Sequence, residues 1–247
     1  MTKNQTMKTL NKKFLLGIIL LTFVFHCQTE QAKKQAPKTT KPSYEQFKPN
    51  IQKRRLQFYQ KYVQSSEPAE KEKIIDQNRE YLFKVFVDSL LPYWYGTPWD
   101  FNGITREPGK DSIACGSFVV FTLQDAGFKI PTKLLQLASE KIIKYLSQPK
   151  DIRRFPNSAP MQKIEQWLRQ KGDGLYIVGL DCHVGFIINK NRKLSFCHSS
   201  YFDPPLMVVN QDFNEGSPLN YSRYRVIGKI FSNEMLRKWF LGQPVKR

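Results

Sequence analysis

Histidine is the scarcest chemically active residue in this chain, with three in 247 residues. Imidazole chemistry must therefore run through His26, His183 or His198. Cysteine is nearly as rare, and four residues exclude a disulfide-dense scaffold. Acid is in short supply as well. Asp and Glu number 21 against 39 Lys and Arg, a formal charge of +18 that calls for an anionic partner. The apolar run at residues 14–25 is twelve residues long, about 18 Å of helix, and falls short of a ~30 Å hydrocarbon core. A permanent membrane span is thus disfavoured. Zinc-finger, RNP and Walker-type patterns are missing, which removes the usual grounds for a nucleic-acid binder, and there is no internal repeat. What the chain does contain is 40% hydrophobic and 24% charged residues, enough for one sizeable packed domain with an appendage.

The appendage is N-terminal. Lys3, Lys8, Lys12 and Lys13 precede the apolar run without an acid among them, and the order of basic region then apolar region is that of an export signal. Cys27 follows, ahead of a polar, lysine-rich stretch, and this arrangement resembles a bacterial lipoprotein signal peptide. The resemblance implies a signal over 1–26, lipidation at Cys27 and a flexible tether over 27–43 containing Pro37 and Pro42. It departs from the usual pattern in having Phe25 and His26 before the cysteine. An exported protein held by its lipid in the cell envelope, facing the periplasm or the cell surface, is the expected location. Loss of the four signal lysines would leave +14, most of it beyond the tether. Such a surface suits peptidoglycan, another anionic envelope polymer or anionic headgroups, and not nucleic acid.

Beyond the tether the pattern is helical over 44–92, with a break at 65–68. Ile51, Leu56, Tyr59 and Val63 share one expected face, and Ile74, Ile75, Tyr81, Leu82, Val85, Phe86 and Leu90 another. An aromatic, glycine-containing loop over 94–111 leads to a helix over 115–126 whose apolar residues surround it, so it should be buried. Further helices are predicted over 132–146, capped by Thr132, and over 160–171, ended by Gly172. The period then changes to short strands at 175–180, 184–188, 194–197, 207–209 and 224–230, before a last helix at 233–241. Helices followed by strands predict an α+β domain with an antiparallel sheet.

The chemistry concentrates in three residues. With the signal removed, His183 and His198 are the remaining histidines, fifteen residues apart. A two-residue turn at 190–191 would set them directly opposite each other on paired strands. Cys115 lies at the start of the buried helix, where free backbone N–H groups and the helix dipole favour a thiolate. His183 would serve as its base and later as the acid toward a leaving amine, and His198 would orient it. Gly185, on the same face, leaves room for the approach, and the N–H groups at the helix start offer an oxyanion hole.

The segments Tyr95-Gly96, Ile113-Ala114-Cys115-Gly116-Ser117-Phe118-Val119, Gly172-Asp173-Gly174-Leu175-Tyr176, His183-Val184-Gly185-Phe186-Ile187 and His198-Ser199-Ser200 together resemble the NlpC/P60 cysteine peptidases. The resemblance spans roughly residues 93–201 and implies a papain-like α+β domain over 93–247 with no cofactor and no metal. It implies an enzyme that hydrolyses peptide bonds in peptidoglycan stem peptides, with Cys115 as nucleophile, His183 as base and His198 as the orienting residue. Tyr95 and Gly116 are the implied substrate or oxyanion contacts. The acid usual before the nucleophile is Ala114 here, and the usual Ser-Gly after it reads Gly116-Ser117. Residues 44–92 lie outside the resemblance as an N-terminal helical segment.

Cys182 and Cys197 each precede a histidine, but adjacent strand residues point to opposite faces, so the four cannot easily converge on zinc. A disulfide between them is separated too far in the expected register, which leaves two free core thiols. Two alternatives to the hydrolase stand beside it. One is a catalytically silent lipoprotein that only binds wall polymer; the other is a papain-like acyltransferase or transglutaminase-like enzyme.

Overall fold

The computed structural model describes residues 43–245, so the expected signal, Cys27 and almost all of the tether lie outside the described residues. Helix α1 (Tyr44–Gln64) opens on a reciprocal cap: the Ser43 side chain accepts the Gln46 N–H, and the Gln46 side chain accepts the Ser43 N–H. Its buried stripe is Tyr44, Ile51 and Phe58, seven residues apart. The expected face is corrected here, because Leu56, Tyr59 and Val63 are 50%, 39% and 53% exposed. One narrow apolar stripe suffices to seat α1, and the turn between its contacts is left to solvent.

Helix α2 (Pro68–Val85) runs through a π-helical turn at Phe86–Leu90 into the short α3 (Leu91–Trp94). Ile74, Ile75, Leu82, Phe86 and Leu90 are buried as expected. Helix α4 (Cys115–Asp125) buries every residue from Ser117 to Leu123. The N-terminal helices share its core: Tyr44 donates to Asp125 Oδ2 at 2.6 Å, and Trp94 Nε1 donates to the Tyr44 hydroxyl at 3.0 Å. Residues 44–92 are thus part of one compact unit with the rest of the described chain.

The helix expected over 132–146 is interrupted. A 3₁₀ turn, Thr132–Gln136, is followed by extended Leu137 and Ala138 before α5 (Ser139–Leu146) begins. Pro131, not Thr132, precedes the turn. An edge strand β1 (Ile152–Pro156), whose two arginines and terminal proline hid it from the apolar pattern, precedes α6 (Met161–Lys171). Gly172 ends α6 at φ +77°, a conformation glycine adopts without a Cβ penalty. Then come β2 (Gly174–Gly179), β3 (Val184–Lys190), β4 (Lys193–Ser199), β5 (Val208–Asp212), α7 (Pro218–Tyr221), β6 (Tyr224–Lys229) and α8 (Asn233–Phe240).

The six strands form one antiparallel sheet in the order β1-β6-β2-β3-β4-β5. The expected α+β class with an antiparallel sheet is therefore present. One face packs on α1 to α5 and α8 through Phe118, Phe186, Ile177 and Val226. The other carries Tyr176, Val178, Ile187 and Phe196 against Trp167 of α6 and Leu219 of α7.

The hairpin of β3 and β4 sets the site. Lys190 pairs with Lys193, and Asn191 and Arg192 form the turn with φ of 51° and 62°. Both turn N–H groups donate to the Asp173 carboxylate, which fixes the turn at these two residues. This register is two residues away from the expected one. A two-residue shift preserves faces, so His183 and His198 stay on one side but meet diagonally rather than directly opposite.

Candidate active site

Cys115 is the first residue of α4, and the chain leading to it is held from three sides. Ile113 N–H donates to Pro98 O at 2.9 Å, Ala114 N–H donates to Gly103 O at 2.8 Å, and Ser199 of β4 donates to Ile113 O at 2.6 Å. Gly103 is required by this approach, since a Cβ there would lie 2.6 Å from the Ile113 nitrogen. No side chain caps α4, which leaves the N–H groups of its first turn facing the thiol and its surroundings.

His183 ends the turn before β3, its carbonyl accepting the Leu180 N–H at 2.8 Å. Its ring is buried, and its Nε2 lies 2.9 Å from His198 Nδ1. The next link extends beyond the expected pair: His198 Nε2 lies 2.9 Å from Gln211 Oε1 on β5. An amide oxygen only accepts, so His198 carries its proton on Nε2 and presents a bare Nδ1. That bare nitrogen accepts from His183 Nε2–H, which leaves His183 Nδ1 bare in turn. Nδ1 is buried with no hydrogen-bond partner, the state a base requires. Phe196 stacks on His198 with centroids 4.1 Å apart, and Tyr201 meets the His183 ring edge-on at 5.1 Å.

Gly185 lies where a side chain would break this arrangement. A Cβ there would sit 2.8 Å from His198 Cβ and 2.7 Å from Phe196 Cε2. The room expected from this glycine is therefore used by the second histidine rather than by the approach of the nucleophile.

Cys115 and His183 line one cavity of about 690 Å³, together with Gly116, Trp99, Cys182 and Tyr201. The sequence-expected catalytic trio is thus brought into one neighbourhood, with His198 behind His183. The electrostatics differ from expectation in one respect. Burial pushes the Cys115 thiol up, only partly opposed by the backbone N–H groups of Val184, Gly116 and Cys115 itself. The resting pair is consequently a neutral thiol and a neutral imidazole. Burial, with His198 beside it, holds His183 well below the ordinary imidazole value, and burial brings His198 down to about 4.

Tyr95 does not reach this cavity. Burial raises its pKa, and the neighbouring Cys197 adds to the rise while Asn210 opposes it. The aromatic groups that do line the cavity are Trp99, Phe101 and Tyr201. Gly116 is in place, with its Cα side open to Leu135 O only at 3.8 Å. Cys197 is a buried free thiol as expected, whereas Cys182 is exposed, with its sulfur 3.9 Å from the Tyr201 hydroxyl. The register explains the second thiol: Cys197 faces Phe186 and Cys182 falls beyond the end of β3. Among the described residues no His, Cys, Asp and Glu cluster is arranged to hold a metal ion.

Gln211 had no sequence signal. It is one polar residue on a short strand outside the span of the family resemblance, and only the pairing of Phe196 with Gln211 brings it diagonal to His198. Comparison of the chain with protein-family models, with curated proteins and with solved structures finds no match.

Proposed function

We propose that this protein is a cysteine hydrolase that works through an acyl-enzyme at Cys115. The observation that carries the reading is the relay from Gln211 through His198 to His183, whose Nδ1 is left without a partner and whose residue lines the same cavity as the thiol. A protein that only bound polymer would have no use for this arrangement, whose burial is costly.

In the first half-reaction His183 Nδ1 takes the Cys115 proton as the sulfur attacks the substrate carbonyl carbon. The carbonyl oxygen becomes an oxyanion, stabilised by backbone N–H groups at the start of α4, those of Cys115 and Gly116. Collapse expels the amine, which leaves with the proton from His183, and the acyl group remains as a thioester. Water then gives its proton to His183 and attacks the thioester, releasing the acid and restoring the thiol. During both steps His198 accepts from His183 Nε2–H and steadies the positive charge that forms.

The substrate class in this reading is the peptide stem of peptidoglycan, supported by the resemblance to NlpC/P60 enzymes and by the basic charge of the chain. The same reading places the enzyme in the cell envelope on a lipid at Cys27. Among the described residues no helix is long and apolar enough to cross a membrane. The test is incubation of the full chain and its Cys115→Ala variant with purified peptidoglycan, with released fragments read by mass spectrometry. New fragments that vanish in the variant support the reading; identical fragment profiles from both proteins and from buffer refute peptidoglycan as the substrate.

A further inference from the structure

The cavity at Cys115 is walled by large apolar side chains on both sides. Trp99, Phe101 and Ile104 come from the loop before α4, and Leu135, Leu137 and Ile142 from the interrupted segment and α5. Phe101 is 79% and Ile104 69% exposed. A single exposed apolar residue is ordinary, but two at the lip of a cavity that contains the nucleophile form part of a binding surface. The charge of the walls points the same way. Although the chain carries +18, the cavity is lined by no Lys or Arg among the described residues, and Asp181 is its one charged side chain. A carboxylate placed there would meet no Lys or Arg, and the one charged residue of the lining is itself an acid.

We propose that this cavity binds the acyl portion of the substrate and that this portion is apolar, a hydrocarbon chain or an apolar amino-acid side chain. The proposal rests on the acyl-enzyme reading of Cys115; an apolar amino-acid side chain narrows the peptide substrate of that reading, whereas a hydrocarbon chain replaces peptidoglycan as the substrate. The covalent step is unchanged: the acyl carbon forms a bond to sulfur, the bond to the leaving oxygen or nitrogen breaks, and the thiol proton departs on the leaving group by way of His183. The specificity lies in the group attached to that carbon. The break at Leu137 and Ala138 gains a purpose here, because extended backbone at these two residues keeps the segment along the cavity wall instead of continuing a helix past it.

Two substrate series test this on the full chain, with Cys115→Ala as the blank. Nitrophenyl esters of acetate, butyrate and octanoate vary chain length; N-acetyl-alanyl, leucyl and glutamyl nitroanilides vary the side chain. Full burial yields about fourfold in kcat/KM per methylene, so octanoate should exceed acetate by at least about 100-fold if the source is a fatty acyl group. If the source is a peptide, leucyl should exceed glutamyl by a similar factor while the esters differ little. Either result supports an apolar acyl site and names its source. Equal rates through both series, or a preference for glutamyl, overturn it. Phe101→Asp combined with Ile104→Asp should lower the preferred-to-poor substrate ratio at least tenfold, and an unchanged ratio counts against the proposal. Binding of octanamide and N-acetyl-leucinamide to Cys115→Ala, followed by calorimetry, reads the cavity apart from the chemistry. Binding without any Cys115-dependent turnover in the wild type refutes the acyl-enzyme reading alone, and failure of both amides to bind refutes the apolar site.

Discussion

Gln211 is expected to decide which nitrogen of His183 is free. In the wild type its Oε1 accepts from His198 Nε2, 2.9 Å away, and this selects one tautomer at each of the two rings. Gln211→Leu removes the acceptor. His198 can then carry its proton on Nδ1, which obliges His183 to accept at Nε2 and to hold its own proton on Nδ1. In that state Cys115 would lack the base proposed for it. One hydrogen bond in this setting is worth about 1–2 kcal/mol, so the competent tautomer should fall by roughly 5- to 30-fold. Alkylation of Cys115 by iodoacetamide at pH 7, followed by mass spectrometry, measures base assistance without knowledge of the substrate. The rate should fall by that factor in Gln211→Leu and recover in Gln211→Glu, whose carboxylate still accepts. Long-range ¹H–¹⁵N spectra should show His198 protonated on Nε2 in the wild type and as a mixture in Gln211→Leu. A wild-type alkylation rate in Gln211→Leu, with His198 still protonated only on Nε2, would refute the relay as the source of the tautomer.

Gly185→Ala should lower stability by about 1–3 kcal/mol and cut alkylation of Cys115, because the new Cβ would fall 2.8 Å from His198 Cβ and 3.1 Å from the Cys197 carbonyl oxygen; denaturant midpoints and alkylation rates check this together. Both imidazoles are held low by burial, so as pH falls below about 6.5 the unfolded chain binds protons before the native one and stability drops. For His198, brought down to about 4, the loss between pH 6.5 and 4 should be about 3 kcal/mol, and His198→Gln should lose that much less over the same range in urea melts. The three thiols of the described residues should alkylate in the order Cys182, Cys115, Cys197, since Cys182 is exposed, Cys115 is half-buried and raised, and Cys197 is buried and raised further. Labelling of Cys197 ahead of Cys182 in native buffer would contradict the described burial. The Cys115 rate should keep climbing past pH 9, whereas a preformed thiolate would level off below neutrality.

Much of the site was legible because its chemistry is rare in this chain. With two histidines among the described residues and a cysteine opening a largely buried helix, few pairings were possible, and the hairpin signal between them made proximity follow from strand geometry. Even a two-residue error in register left the histidines on one face, since the period of a strand is two. Less was legible where function depends on interruption. The turn before α5 breaks a sequence that has good helical periodicity, and β1 reads as a polar segment because an edge strand needs only one buried residue, Phe155. Tyr95 and Gln211 show the same limit from opposite sides. Tyr95 belongs to the motif, yet it is not among the residues that line the cavity and has Cys197 and Asn210 as its electrostatic neighbours. Gln211 lies far from any motif, yet bonds to the relay, because its strand pairs with β4.

The excess of positive charge and the apolar cavity answer different demands, and α5 separates them. Ile142 on this helix lines the cavity with Cys115, while Lys141 and Lys144, with Arg154 of β1, line a separate hollow on the outer side. Glu140 accepts from Lys144, Arg154 and Tyr224 and is held at about 2, so it stays ionised and holds this basic side against β1 and β6 across the whole physiological range. Charge on the outer side acts over a Debye length and can hold the protein against an anionic polymer or membrane without choosing a bond. In the proposed reaction the choice of bond falls to the cavity at the sulfur, whose walls include Trp99, Phe101, Ile104, Leu135, Leu137 and Ile142. Neutralising Lys141 and Lys144 should therefore weaken retention on anionic surfaces and make its loss with salt shallower, while the acyl preference proposed for Phe101, Ile104 and Leu137 stays where it was.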